Sequence, residues 1–197
     1  MESFIDFDTA LLFWIQNHLV SEVWSPLVIG VSALGELGAV WILLGIVLFS
    51  TKKYRRAGVA VFIGLIFSLL VGNGILKHFV MRARPCLDYP WMPMLVKVPA
   101  TSDFSFPSGH AFASFAAAFA LFHGVNRWWG CTAVGLAAAI GFSRIYLFMH
   151  YPSDVFAGMV LGIFFGSFAW YLSGKSAAVL FRRKCRTVKN CNVVRRG

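Results

Sequence analysis

Long apolar stretches recur along this chain from about residue 10 to residue 173, and they restrict the folds that it can adopt. Of its 197 residues, 58% are hydrophobic and 13% are charged, whereas charged residues make up about a quarter of a soluble globular domain. Crossing the hydrocarbon of a bilayer takes roughly 20 apolar residues. The sequence therefore predicts an all-α fold, a polytopic transmembrane bundle of about six helices.

The apolar stretches divide into five predicted spans, which are Val23–Phe49, Ala57–Val80, Pro107–Gly124, Trp128–Met149 and Asp154–Ser173. The segment 7–20 is short for a span and suits an interfacial helix, although a sixth span stays open. Because the stretches leave no room for a separate unit, we expect one membrane-embedded domain over residues 1–174 and a basic tail over 175–197. No charged segment with a cleavage site precedes the first stretch, so no removable signal peptide is expected.

Positive charge is distributed unevenly along the chain, and this distribution predicts orientation. With five alternating spans, 13 of the 18 Lys and Arg residues fall on one side of the membrane: Lys52, Lys53, Arg55, Arg56, Arg127, Lys175, Arg182, Arg183, Lys184, Arg186, Lys189, Arg195 and Arg196. The positive-inside rule makes that side cytoplasmic. We therefore expect a multi-pass protein of the cell (plasma or inner) membrane with a cytoplasmic tail.

The net charge of +10 does not require a nucleic-acid partner. A basic tail beside anionic cytoplasmic lipids explains it, and no nucleic-acid-binding motif is present. Nothing in the sequence indicates an oligomeric state. The four cysteines (Cys86, Cys131, Cys185 and Cys191) have no obvious disulfide partners and no zinc-site spacing.

The segment "KHFVMRARP" brings several cations to the outer end of the second span. Lys77 lies four residues after Asn73, on the same helix face, and a lone lysine there would simply extend to the interface. Arg82 and Arg84 follow within seven residues, and Pro85 is expected to end the helix. The connection 86–106 is long and aperiodic, which is more typical of a functional loop or lid than of a simple link.

The segment "FPSGH" at 106–110 predicts a helix start. Pro107 fits an early helical position and Ser108 can cap the helix. The amides of Ser108, Gly109 and His110 would then be free donors at a helix N-terminus, where the dipole favours an anion such as phosphate. An ordinary capped helix is the alternative interpretation, but a cap does not require His110.

The segment "SRIYLFMHYPSD" at 143–154 places a histidine near a carboxylate. Pro152 indicates that a turn, rather than a continuous helix, brings His150 and Asp154 together. A carboxylate held on one imidazole nitrogen fixes the tautomer and makes the other nitrogen a better nucleophile. Arg144 lies nearly two turns before His150, so its side chain must extend along the bundle to reach the same site.

These three segments fall at one face of the predicted bundle. Two imidazoles, three cations, a helix N-terminus and a carboxylate on the extracytoplasmic side describe a phosphate site. No cluster of carboxylates accompanies them, so the sequence does not favour a magnesium or di-metal mechanism.

The motifs K77-x6-R84-P85, P107-S108-G109-H110 and S143-R144-x5-H150-x3-D154 resemble the three signature motifs of the type 2 phosphatidic acid phosphatase family. The resemblance is to its integral-membrane branch, which is related to vanadium haloperoxidases and bacterial acid phosphatases. It implies a fold with a six-helix core and a metal-independent phosphatase without a cofactor.

The resemblance also implies a role for each matching residue. His150 would attack phosphorus and form a phosphohistidine, and Asp154 would orient and stabilise it. His110 would protonate the leaving oxygen and then act as a base for water. The phosphoryl oxygens would be held by Lys77, Arg84, Arg144, the Ser108 hydroxyl and the Gly109 amide. Arg82 falls in the variable part of the first motif, so we expect only a supporting role.

The family handles phosphatidate, phosphatidylglycerol phosphate, diacylglycerol diphosphate, polyprenyl diphosphates and lipid A phosphates. The short chain resembles small bacterial members that recycle undecaprenyl diphosphate in cell-wall synthesis, so we favour that lipid as substrate. Phosphatidylglycerol phosphate or phosphatidate remain alternatives, as does a lipid phosphotransferase. A vanadate-dependent peroxidase is disfavoured by the membrane setting, and a non-enzymatic membrane protein would not need both His110 and His150.

Two further features carry predictions. Glu36 lies inside the first span, where an acid is costly, and it either pairs within the bundle or contributes to the site. Small residues allow helices to approach closely, and we expect this at Gly72, Gly74, Gly135, Gly158, Gly162 and Gly166.

Overall fold

The computed structural model describes the backbone of residues 2–194 and the side chains of residues 6–174. Within these bounds the chain is helical and contains no β-strand. The helices are α1 (Glu2–His18), α2 (Ser25–Leu34), α3 (Ala39–Ser50), α4 (Arg55–Phe67), α5 (Lys77–Val80), α6 (Pro85–Asp88), α7 (Gly109–Gly124), α8 (Arg127–Tyr146) and α9 (Pro152–Val194). The predicted all-α class is confirmed. The side chains of the predicted basic tail lie outside the described residues.

The first predicted span is broken in the middle. Helices α2 and α3 meet at 44° across a single 3₁₀ turn, Glu36–Gly38. Leu37 and Gly38 have φ values of 51° and 70°, which end the α-helical hydrogen bonding, and glycine adopts such a backbone without steric cost. The predicted span Val23–Phe49 is therefore not one continuous helix, and whether the two parts form one span stays a prediction.

Two described helices are long and apolar enough to cross a bilayer, Arg55–Asp88 and Pro152–Gly174, and the bent pair α2–α3 would be a third if it forms one span. The first of these runs from α4 through a π-helical stretch, Ser68–Leu76, into α5. The total of five spans stays a prediction, as does the placement of α1.

Helix α7 lies at the centre of the bundle. Five of its six alanines are fully buried, and it contacts α4, α8 and α9. Small side chains let these neighbours approach closely. One polar pair is enclosed here, since Trp41 Nε1 donates to Ser114 Oγ at 2.9 Å and so satisfies a buried donor.

Two helix bounds near the predicted site differ from the sequence-based ones, and so does the role of Pro85. Helix α5 ends at Val80, the predicted end of the second span, where Met81 takes a left-handed φ of 49°, and Pro85 begins α6 instead of ending the preceding helix. Helix α7 begins at Gly109, so Pro107 precedes the cap, and α8 ends at Tyr146, three residues early. These shifts place both arginines of "RAR" and His150 in irregular backbone between helices.

The cysteines of the described part are unpaired. Cys86 is buried and Cys131 is exposed, as expected for residues without a disulfide partner. The other two cysteines, Cys185 and Cys191, lie outside the described side chains.

Glycines on α9 allow that helix to pack directly on α7, as predicted. A Cβ atom added at Gly162 would lie 2.6 Å from Phe115 Cβ and 2.8 Å from the Phe112 carbonyl oxygen. Gly158 and Gly166 are equally close to α7, and Gly72 contacts Phe112 in the same way. The prediction was wrong for Gly135, which has no neighbour within 4 Å, and for Gly74, which has only an ordinary contact.

Replacing Gly162 by Ala is expected to destabilise the protein by ~1–3 kcal/mol, because the added methyl overpacks the α7–α9 interface. Gly135→Ala is the matched control and is expected to be neutral or slightly stabilising, since Ala favours the helix. Thermal unfolding in detergent measures both variants. Equal midpoints for the two would contradict the close packing at Gly162.

Candidate active site

The predicted site residues converge on one cavity of about 1400 Å³. Six of the eight line it: Lys77, Arg84, Gly109, His110, Arg144 and His150. They come from α5, α7, the end of α8 and the connections between helices. The other two, Ser108 and Asp154, are fully buried and contact the lining residues from behind. The structure thus brings three separate sequence segments to one place.

His150 is held in a single tautomer by its neighbours. It lies in the turn between α8 and α9 and is 1% exposed. Arg84 Nη1 lies 3.0 Å from His150 Nε2. A guanidinium only donates hydrogen bonds, so Nε2 must accept with its lone pair and Nδ1 must carry the proton. Burial lowers the pKa of His150 to about 4, and the Asp154 carboxylate opposes this shift only in part, so the ring is neutral at physiological pH.

Ser105 connects His150 to Asp154. Its Oγ lies 3.2 Å from His150 Nδ1 and donates to Asp154 Oδ2 at 2.6 Å, whereas Nδ1 and Oδ2 are 3.8 Å apart. The predicted turn does bring His150 and Asp154 together, but the hydrogen bonds between them pass through a hydroxyl. Sequence reasoning missed Ser105, although it lies two residues before Pro107 in the phosphate motif.

The cations Lys77 and Arg84 share a carboxylate from the long loop. Lys77 Nζ forms an ion pair with Asp103 Oδ1, and Arg84 donates to Asp103 Oδ2 at 2.9 Å and to its carbonyl oxygen at 2.7 Å. Burial raises the pKa of Asp103, but Lys77 and Arg84 outweigh it, and the net pKa lies below its usual range. Sequence reasoning missed Asp103, because only the fold shows where the loop runs.

Three buried polar atoms near the cavity have no hydrogen-bond partner among the described residues: Asn73 Oδ1, His110 Nε2 and Arg144 Nε. Arg144 is anchored on one side, since Nη1 donates to Ser32 Oγ at 2.6 Å. Unpaired buried polar atoms cost free energy, so a ligand that accepts from Arg144 would stabilise the site. Within the part of the chain whose side chains are described, no group of three His, Cys, Asp or Glu residues could hold a metal ion.

The N-terminus of α7 points its first amides toward this region. Ser108 is the N-cap, and its Oγ accepts from the Ala111 amide at 3.5 Å, as predicted for a cap. Its own amide donates to the Asp154 carbonyl oxygen at 3.0 Å, so the prediction of a third free amide was wrong. The amides of Gly109 and His110 have no carbonyl partner within the helix and remain available to an anion.

Arg82 makes more contacts near the site than the supporting role expected from its variable position in the first motif. Its guanidinium bonds Asp154 at 2.8 Å and Asp8 of α1 at 2.7 Å. Asp8 is 2% exposed. Asp8 lies at the start of the segment 7–20 that was expected to form an interfacial helix, and no local pattern in the sequence connects it to residues 82 and 154.

Glu36 lies in the break between α2 and α3 and lines the same cavity as Arg144. Among the described residues it has no ion pair or hydrogen bond through its carboxylate. Its position agrees with a contribution to the cavity, and the role of Glu36 stays a prediction.

Several known proteins are similar in sequence to this chain. An undecaprenyl-diphosphatase of Sulfolobus acidocaldarius is 29% identical over 123 residues, which are 62% of this chain and 58% of that protein. A decaprenylphosphoryl-5-phosphoribose phosphatase of Mycobacterium tuberculosis is 34% identical over 144 residues, 70% of this chain and 74% of that protein. The match therefore spans less than two thirds of the archaeal relative.

A solved structure shares the fold. The first transmembrane PAP2-type phosphatidylglycerolphosphate phosphatase from Bacillus subtilis matches with a TM-score of 0.72 at 21% identity, covering 89% of this chain and 88% of that one. The PAP2 superfamily model matches residues 53–178, a range that contains all three motifs and most of the bundle. The chain belongs to the PAP2 superfamily.

Proposed function

We propose that this protein is a membrane lipid phosphatase that works through a phosphohistidine at His150. The observation that carries the proposal is the hydrogen bond from Arg84 Nη1 to His150 Nε2, which identifies Nε2 as the unprotonated nitrogen of a neutral imidazole beside the cations of the cavity. Such a nitrogen is a competent nucleophile for phosphorus. His110 lies in the same cavity and can exchange a proton with a leaving group.

The reaction has two steps. In the first, His110 enters as the imidazolium, the His150 Nε2 lone pair forms a bond to phosphorus, the bond from phosphorus to the leaving oxygen breaks, and His110 gives that oxygen its additional proton. In the second, water attacks phosphorus, His110 accepts the water proton, and the bond between phosphorus and Nε2 breaks to release inorganic phosphate. Asp154, through Ser105, stabilises the positive charge that the His150 ring carries between the steps.

Charge on the phosphoryl oxygens is stabilised by groups already in place. Lys77, Arg84 and Arg144 supply three cations, and the Gly109 amide adds a donor at a helix N-terminus. Ser108 contributes by capping α7 and so fixing that amide, since its hydroxyl accepts from Ala111.

The lining of the cavity supports a lipid substrate. Besides the cations it includes a wall of apolar side chains, Ile29, Ile42, Phe62, Leu65, Ile66 and Leu69. A phosphate could bind the cations while a hydrocarbon chain lies along this wall. The two relatives act, by their names, on undecaprenyl diphosphate and on a decaprenylphosphoryl sugar phosphate. We favour undecaprenyl diphosphate, cleaved to undecaprenyl phosphate and inorganic phosphate.

Purified protein in detergent is expected to release inorganic phosphate from undecaprenyl diphosphate with a chelator present, and His150→Ala is expected to abolish release because the nucleophile is lost. His110→Ala is expected to slow release by about 10²–10⁴-fold. The matched control is His123→Ala, at the opposite end of α7, where the ring contacts Ser167 outside the site. Phosphate release measured by a colorimetric assay follows all variants.

The substrate panel also contains phosphatidylglycerol phosphate and phosphatidate. If phosphate is released faster from either of these lipids than from undecaprenyl diphosphate, that lipid is the preferred substrate. Transfer of phosphate to a second lipid would identify a phosphotransferase. Full activity of His150→Ala would exclude the phosphohistidine, and a requirement for an added divalent cation would exclude the metal-independent mechanism.

Asp103 must leave Lys77 and Arg84 when a phosphate binds them, because one carboxylate occupies both cations. Its lowered pKa keeps it ionised throughout the neutral range, so the competition persists there. Asp103→Asn is expected to tighten inhibition by orthophosphate about three- to tenfold, or ~0.7–1.4 kcal/mol. Thr101→Ala, in the same loop, serves as control. Weaker inhibition in Asp103→Asn would mean that the carboxylate orients the cations instead of competing for them.

The distribution of basic residues supports an extracytoplasmic site, and labelling tests it. In a background with the native cysteines replaced by serine, Trp91→Cys, at a position 71% exposed in the long loop, is expected to react with an impermeant maleimide on intact cells. Lys53→Cys, in the linker between α3 and α4, is expected to react only after permeabilisation. The reverse pattern would invert the proposed orientation.

A further inference from the structure

Two carboxylates that lie far apart in the sequence both form hydrogen bonds with one arginine. Arg82 Nη1 lies 2.8 Å from Asp154 Oδ1, and Arg82 Nη2 lies 2.7 Å from Asp8 Oδ2. The two acids belong to α9 and α1. Arg82 therefore links the N-terminal helix to the carboxylate that lies behind His150.

Further contacts hold this connection in place. Arg82 Nη1 also donates to Ser153 Oγ at 2.7 Å, and the guanidinium lies over the Tyr151 ring at 4.0 Å. Asp8 accepts from the Ser153 amide at 2.9 Å and is bonded to the Ser153 hydroxyl as well. With Asp8 2% and Asp154 0% exposed, water has little access to weaken these interactions.

Docking of α1 does not by itself require a buried acid. Leu12 and Ile15 are enclosed in the core next to Ile145, and the Gln16 side chain donates to the carbonyl oxygens of Ile145 and Tyr146 at 3.1 Å. These contacts already attach the helix to the end of α8. A buried carboxylate carries a desolvation cost, and its place beside Arg82 connects it with the site rather than with docking.

We propose that Asp8 and Arg82 are positioning residues for the proposed phosphatase reaction, on which this inference rests. Arg82 holds the Asp154 carboxylate so that its other oxygen meets the Ser105 hydroxyl and, through it, His150. Asp8 holds Arg82 and balances its charge.

The charge balance explains why an acid is needed on α1. The His150 ring becomes positively charged when Nε2 bonds to phosphorus, and Asp154 must then present a net negative charge. Arg82 alone would cancel that charge. With Asp8 included, two carboxylates and one guanidinium leave one net negative charge beside the ring.

The test compares two acids of α1. Asp8→Asn removes the buried charge, and Asp6→Asn removes an exposed one. Asp8→Asn is expected to lower kcat about tenfold, as partners that orient a functional histidine commonly do, with KM within twofold of wild type. Asp6→Asn is expected to match wild type. Arg82→Gln is expected to lower kcat further, and Arg82→Lys, which keeps the charge, to restore part of it.

Orthovanadate, which mimics a phosphoryl group in transfer, gives a second measurement that needs no turnover. Calorimetric titration is expected to show about tenfold weaker vanadate binding in Asp8→Asn and unchanged binding in Asp6→Asn. If wild type hydrolyses no lipid phosphate, the proposed function fails, and the vanadate titration still decides whether Asp8 positions His150.

Two results would overturn the positioning role. One is a wild-type kcat and unchanged vanadate binding in Asp8→Asn. The other is a lower thermal midpoint with wild-type kcat in the folded fraction, which would reduce Asp8 to a structural anchor of α1. Loss of kcat in Arg82→Lys equal to that in Arg82→Gln would likewise contradict a role based on charge.

Discussion

Charge buried in an apolar helix bundle must be paired, and this constraint shapes the site. Asp103 forms ion pairs with both Lys77 and Arg84, while Arg82 forms ion pairs with both Asp154 and Asp8. The exceptions among the described buried side chains are informative, because Arg144 Nε and His110 Nε2 lack partners beside the same cavity. A bound phosphate would accept a hydrogen bond from Arg144 Nε and would exchange a proton with His110 Nε2. Binding a substrate therefore replaces internal pairings instead of creating charge interactions from nothing.

Breaks in helices bring these charges together around one cavity. Helix α5 stops at Val80, α7 starts only at Gly109, and α8 ends at Tyr146. Each end leaves backbone groups without helical partners, and site residues use some of them: the Ser105 amide donates to the Arg82 carbonyl oxygen at 2.8 Å. The same irregular segments that carry the site thus satisfy one another's backbone hydrogen bonds.

The sequence predicted the site better than its surroundings. Lys77, Arg84, His110, Arg144 and His150 were identifiable because polar residues are costly inside apolar stretches and their motifs are local. Ser105, Asp103 and Asp8 were missed because their partners lie far away along the chain; the Asp8 and Ser153 contact spans 145 positions. The positions of helix ends were predicted wrongly for a different reason. Pro85 suits the first position of a new helix as well as the end of an old one, and the apolar pattern around Glu36 hid the break there.

Arg84 shows how the fold and the chemistry depend on one group. Its Nη1 donates to the Met149 carbonyl oxygen as well as to His150 Nε2, both at 3.0 Å, so one guanidinium fixes both the turn and the ring that the turn presents. In this state the hydrogen bond occupies the lone pair needed for attack on phosphorus. A substrate phosphate competes for the same guanidinium, because a charged oxygen is the stronger acceptor. Arrival of the substrate would thus free the nucleophile, while Met149 keeps the turn in place.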